Sequence, residues 1–187
     1  MANAALSREE LIRIIEETQK VSRERLPSST YENGIPRSAI TELCGHAKVE
    51  WLLHFFRDNP ELKILWVEQN FTLLPTSFLQ RGLNPNRILY VEAKKDSIKV
   101  LRKALKFQIF DCIVAPSVFA EERTLKALQL LSEKANTATI LLANEARKSW
   151  PISLQLQINR KPGTSRHTTF DIQILKEKGS ILGATPL

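Results

Sequence analysis

The glycine at position 45 and the residues after it are where this chain comes nearest to a recognisable chemical motif. A phosphate-binding loop needs glycines so that backbone N–H groups can wrap the phosphates. It also needs a Lys for the terminal phosphates and a Ser or Thr hydroxyl for Mg²⁺, in the spacing G-x-x-x-x-G-K-S/T. The run Gly34-Ile35-Pro36-Arg37-Ser38-Ala39-Ile40-Thr41-Glu42-Leu43-Cys44-Gly45 reads as the approach to such a loop, but the residues that follow are His46-Ala47-Lys48-Val49-Glu50-Trp51-Leu52. Glu50, Trp51 and Leu52 stand where the second glycine, the Lys and the hydroxyl are due, and Glu50 would meet a phosphate with like charge. Lys48 takes the lysine's place only in a loop about three residues shorter. Val49 then offers no hydroxyl. The motif reads as a nucleotide site that no longer works, with ATP turnover surviving only if Lys48 is a displaced loop lysine. Trp51 either plugs the vacated phosphate pocket or packs in the core.

Other reactive sets are missing from the sequence. His46 and His54 have no carboxylate or Cys at metal-ligand spacing, and no G-x-S-x-G elbow occurs. Cys44 and Cys112 both lie in apolar runs, which suits buried thiols in a reducing compartment. The expectation is no metal, no cofactor and no enzymatic activity.

The elements that would position these residues are those of an α/β domain. Ile40 to Cys44, Ile64 to Glu68, Ile88 to Val91, Cys112 to Val114 and Ala138 to Ala143 are short apolar runs suited to buried parallel strands. Helical segments near 48–58, 74–81, 96–107 and 121–135 separate them, so a mostly parallel sheet flanked by helices is expected. After Pro151 the pattern becomes strict apolar/polar alternation, Ile152-Ser153-Leu154-Gln155-Leu156-Gln157-Ile158, and Phe170-Asp171-Ile172-Gln173-Ile174 repeats it. Two one-faced strands joined by the turn-rich Asn159-Arg160-Lys161-Pro162-Gly163-Thr164-Ser165-Arg166-His167 predict a C-terminal β-hairpin.

At the other end, Ser7 with Glu10 forms a capping box for a helix over 7–25, whose apolar face carries Leu11, Ile14 and Ile15. The linker Pro27-Ser28-Ser29-Thr30 has no periodicity. The sequence therefore divides into an N-terminal helix and linker over 1–30, a core over 31–178 and a frayed tail over 179–187. No run approaches the roughly 20 apolar residues of a membrane span, and no signal peptide is evident, so a cytoplasmic location is expected.

The order of these segments resembles the RecA recombinase core over roughly residues 30 to 160. Lys63-Ile64-Leu65-Trp66-Val67-Glu68-Gln69-Asn70 is similar to the second core strand, which in that family ends in the carboxylate that activates water; the resemblance puts Asn70 at that position. Asn can orient water but cannot accept its proton. Arg81-Gly82-Leu83-Asn84-Pro85-Asn86-Arg87-Ile88-Leu89-Tyr90-Val91 resembles the link into the third strand. Phe110-Asp111-Cys112-Ile113-Val114-Ala115-Pro116-Ser117-Val118 resembles the Walker B strand with Pro116 in place of its Asp, and so without a carboxylate for Mg²⁺. Thr139-Ile140-Leu141-Leu142-Ala143-Asn144-Glu145 is similar to the strand ending in the family's Asn-Gln sensor, with Glu145 for the Gln. The resemblance implies a RecA-like pseudo-NTPase, most similar to the ImuA/SulA group of bacterial damage-response proteins. An ImuA-like chain would be an accessory of translesion synthesis, meeting mutasome components and DNA. A SulA-like chain would bind FtsZ and block division.

Charge adds a second signal. Net charge is +7 with a sequence pI near 9.6, which favours a polyanionic partner. On the helix near 96–107, Lys95, Lys99, Arg102, Lys103 and Lys106 fall on one side, opposite Ile98, Leu101, Ala104 and Leu105. This is either a phosphate-contacting ridge or an ordinary solvated face. Arg160, Lys161, Arg166 and His167 form a second basic cluster with the same alternatives. The helix face of Leu11, Ile14 and Ile15 either docks on a partner or a second copy, or folds back on its own core.

Overall fold

Six consecutive buried residues, Ala39–Cys44, make strand β3 the axis of the molecule, because a strand covered on both faces cannot show apolar/polar alternation. The computed structural model describes residues 24–70, 72–74, 76–118, 121–162 and 169–178. Along them run β1 (Arg25–Leu26), β2 (Ile35–Pro36), β3, α1 (Lys48–Asp58), β4 (Ile64–Glu68), α2 (Thr76–Leu79), β5 (Ile88–Glu92), α3 (Ser97–Phe107), β6 (Cys112–Pro116), α4 (Glu122–Ala135), β7 (Ala138–Leu142), β8 (Leu154–Arg160) and β9 (Phe170–Glu177). Seven of these strands form one sheet in the order β5-β4-β6-β7-β3-β8-β9. All neighbours are parallel except β8 and β9, which pair as the expected antiparallel hairpin.

The sheet separates two apolar layers. On one side α1 packs Trp51, Leu52, Phe55 and Phe56 against Ile64, Trp66, Val114, Ile140, Leu156 and Ile158. Aromatic rings dominate that layer: Trp51 stacks on Phe55 at 5.7 Å, Phe56 meets Trp66 edge-on at 6.2 Å and Trp66 meets Phe78 at 5.9 Å. Each such pair contributes about 0.5–1.5 kcal/mol beyond the area it buries. On the other side α3 and α4 bring Leu101, Leu105, Leu125 and Leu128 onto Ile40, Leu65, Val67, Ile113 and Leu141.

Several boundaries differ from the sequence expectation. Arg25 does not continue a helix: it pairs with Pro36, and Leu26 with Ile35, in a short antiparallel ribbon. The rest of the 7–25 helix, including Leu11, Ile14 and Ile15, lies outside the described residues, as does the tail after Gly179. The linker 27–30 is fastened to the end of α1, with Asn59 Nδ2 donating to the Pro27 carbonyl at 2.8 Å. The Ser29 N–H and hydroxyl both donate to Asp58 Oδ2 at 2.7 Å. The helix expected over 74–81 is a single turn, Thr76–Leu79. The alternation after Pro151 does not give a one-faced strand either: Leu154, Gln155 and Leu156 are all buried, because β8 lies between β3 and β9 and its Gln155 faces an internal polar group.

Candidate functional site

At the C-terminal end of β3 the chain turns through Gly45, whose φ is +89°; a Cβ there would stand 2.3 Å from the Ile158 carbonyl oxygen and 2.9 Å from Asn159 Oδ1. The turn is therefore drawn tightly onto β8, and glycine is required both for its backbone conformation and for that approach. The loop's polar groups are engaged by the same strand. The Ala47 N–H donates to the Ile158 carbonyl at 3.1 Å, the Arg160 N–H donates to His46 Nε2 at 3.3 Å, and Lys48 Nζ folds back on the Gly45 carbonyl at 3.3 Å. Ala47, at the N-cap of α1, makes no side-chain capping bond. The first-turn carboxylate Glu50 supplies the negative charge that a helix N-terminus favours. Arg160 holds it from the end of β8, with Nη2 2.6 Å and Nε 2.7 Å from Oε2. An internal ion pair thus sits on the helix terminus where an anion would otherwise bind. Trp51 is fully buried, donates Nε1–H to Thr30 Oγ1 at 2.7 Å and stacks on Phe55, so of its two readings the structure supports core packing.

The strand ends are more varied than the sequence reading. Asn70 is exposed, two residues past the last residue of β4. That last residue is Glu68, so a carboxylate stands at the strand end two residues before Asn70. Its oxygens are occupied: Oε1 accepts from Trp66 Nε1 at 3.0 Å, and Oε2 accepts the Thr72 N–H at 2.7 Å and its hydroxyl at 3.2 Å. Pro116 closes β6 in register with Leu142 of β7. Pairing of β6 with β4 stops at Val114, so the proline's missing N–H falls where that side of the ladder is already open. Asn144 and Glu145 are exposed beyond the end of β7.

A group that the sequence reading passed over lies in the middle of β3. Glu42 is 1% exposed, yet four groups from distant segments surround its carboxylate. Ser117 Oγ donates to Oε1 at 2.9 Å and Arg147 Nε lies 3.2 Å from the same oxygen. The Arg147 N–H and Gln155 Nε2 donate to Oε2 at 3.1 and 2.7 Å. Arg147 Nη2 reaches on to the Ser117 carbonyl at 2.7 Å. The network ties the end of β6, the β7–β8 connection and β8 to β3. The signal available in the sequence was a single acid inside an apolar strand. Both cysteines are buried and free, and burial pushes their thiols up, Cys112 far beyond the ordinary thiol range. The connection also carries Trp150, which is 61% exposed, with Lys178 Nζ 4.1 Å from its ring centroid.

The basic residues form two separate sets. Lys99, Arg102, Lys103 and Lys106 are all exposed along α3, as is Lys95 just before it, and Leu101, Ala104 and Leu105 are buried beneath the helix, as its periodicity predicts. Part of that charge is committed, since Lys99 pairs with Asp96 at 2.7 Å, which raises the Lys99 pKa. In the hairpin, Arg160 belongs to β8 rather than to the loop and is bound to Glu50. Lys161 is exposed, while Arg166 and His167 lie outside the described residues. α3 packs on one face of the sheet, whereas Arg160 joins α1 on the other, so Arg160 and the ridge do not make one surface.

No protein-family model matches the chain, and no curated protein does. Among solved structures, the crystal structure of the RadB recombinase is similar, with a TM-score of 0.53 at 17% identity over 70% of this chain and 78% of that one. The fold is a RecA-like α/β core. Among the described residues no helix is long and apolar enough to cross a membrane.

Proposed function

We propose that this chain is a RecA-like protein that does not turn over ATP and acts by binding, as an ImuA-like accessory of bacterial DNA-damage tolerance. The observation that carries the reading is the Glu50–Arg160 pair on the N-terminus of α1, together with the surrender of the Ala47 N–H to Ile158. A phosphate entering there would have to displace a charge-assisted bond and face a fixed carboxylate, in a loop lacking the second glycine and the hydroxyl. Pro116 offers no carboxylate at the end of β6, and both oxygens of Glu68 at the end of β4 are already hydrogen-bonded. The α3 ridge is the surface offered to DNA, by phosphate contacts that are tolerant of sequence. The recombinase among the structural neighbours supports a role close to DNA.

A SulA-like role, with FtsZ as partner and no use for DNA, is favoured by one observation: the ridge carries less free charge than its sequence, because Lys99 is paired with Asp96. Two measurements decide. Millimolar ATP with Mg²⁺ should leave the melting temperature unchanged, since a ligand raises it only by binding the native state; a clear upward shift would overturn the proposal of inactivity. Single-stranded DNA binding, followed by anisotropy from low to physiological salt, should weaken steeply with salt. It should lose about one unit of logarithmic slope for each phosphate-contacting charge removed by Arg102→Ala, Lys103→Ala and Lys106→Ala. No binding at low salt would transfer the preference to the FtsZ reading.

A further inference from the structure

About 5–10 Å along α1 from Glu50, by the rise of a helix, a shallow groove of about 280 Å³ opens between α1 and the turn that follows α2. Leu53, His54, Arg57, Gln80 and Arg81 line it. Both arginines are exposed, and among the described residues neither is paired with a carboxylate. Arg57 Nη2 lies 3.1 Å from His54 Nδ1, and Arg81 Nη1 donates to the Ser77 carbonyl at 3.4 Å. A guanidinium has no acceptor, so Nδ1 accepts from Arg57 and the neutral ring carries its proton on Nε2. The ring is steadied edge-on against Phe170 of β9, with centroids 5.3 Å apart.

We propose that this groove binds a phosphate monoester, held between the Arg57 and Arg81 guanidinium groups with the His54 imidazole as a third, proton-dependent contact. Two forked cations and a ring that can acquire a charge suit a dianion with three terminal oxygens, whereas a carboxylate brings one charge and two oxygens. The space is below the roughly 300–1,000 Å³ of sites that enclose a whole small molecule, so the groove grips the phosphate end of something larger. The electrostatics agree. Burial first, and then Arg57, hold His54 below the ordinary imidazole range; Glu50 and Asp58 on the same helix pull upward and Arg81 pushes downward. Gln80 and Phe170 bring no charge. An anion between the arginines offsets their repulsion of the ring's charge, leaving burial as the opposing cause. The site stands apart from the Gly45 loop and does not depend on that loop being inactive.

The test is the proton NMR titration of the three histidines, assigned with His46→Gln and His167→Gln variants of the full chain. Sulfate is the first probe, because its charge is constant across the titration, and inorganic phosphate the second; chloride at equal ionic strength is the reference. The His54 pKa should rise by about one unit in sulfate and in phosphate, which is a tenfold preference of the anion for the protonated ring. The Arg57→Gln/Arg81→Gln double variant, altered only at exposed side chains, should lose that rise while keeping its circular dichroism spectrum. A 5′-phosphorylated oligonucleotide binding about tenfold tighter than its 5′-hydroxyl counterpart would identify a nucleic-acid end as the source; equal binding with the sulfate effect intact would point to a smaller phosphate ester. Identical His54 curves in sulfate and chloride, or a shift that survives in the double variant, would overturn the site.

Discussion

Two carboxylates, eight residues apart on one strand–helix unit, meet an arginine in different ways. Glu42 is enclosed, and its partner Arg147 is only 29% exposed; Glu50 is 17% exposed, and its partner Arg160 stands 62% in solvent. In the first pair a charge has been taken out of water and must be compensated, so Ser117, Gln155 and a backbone N–H complete its shell. In the second, water screens the attraction and little stability is at stake. The contrast separates two uses of the same chemistry. The buried pair locks the β7–β8 connection and β8 onto β3, while the exposed pair covers a helix terminus and decides what else can approach it.

The widest test of that contrast is Arg147→Met, which leaves Glu42 without its counter-charge and should cost about 3 kcal/mol or somewhat more in urea unfolding. Glu42→Met combined with Arg147→Met should recover most of the loss, since an apolar pair of similar volume removes the unpaired charge. A double variant as unstable as the single one would mean that the hydrogen bonds, not the charge, hold this region. Arg160→Gln should cost less than about 1 kcal/mol, and salt should weaken the wild-type pair toward the same value. An Arg160 variant as damaged as the Arg147 one would erase the distinction between the two sites.

The smallest effect concerns His54, four residues further along α1. Its folded pKa lies below the unfolded value near 6.5, so the unfolded chain binds more protons there. Stability is therefore full above the unfolded pKa and declines as pH falls through it toward the folded pKa. His54→Gln should flatten this part of the stability–pH profile, measured by denaturation at several pH values. An unchanged slope would show that the imidazole is not held neutral by its surroundings.

The sheet was legible in the sequence because buried parallel strands read as short apolar runs, and five such runs lie where β3 to β7 lie, although β5, at the sheet edge, is only partly covered. The ridge on α3 was legible for the same kind of reason, a helical period of burial. Other features come from residues brought together across long stretches of chain, which no local pattern encodes. Glu42 finds Ser117 75 positions away and Gln155 113 positions away. Glu50 and Arg160, 110 positions apart, read separately as a faulty loop residue and a free hairpin cation, yet they are partners. The linker 27–30 looked unstructured because its anchors, Trp51, Asp58 and Asn59, lie in and just beyond α1. The end of β4 at Glu68 was read from its apolar run, whereas the match of Asn70 to a family position came from resemblance alone and lies two residues further on.

The three tryptophans sort the molecule optically. Trp51 and Trp66 are fully enclosed, whereas Trp150 stands in solvent on the β7–β8 connection with Lys178 over its ring. A neutral collisional quencher therefore dims the red-shifted component from Trp150 first and leaves the blue emission of the interior pair. One emission spectrum then carries two readouts, so a partner landing on the connection protects the red component, whereas global unfolding moves the blue one.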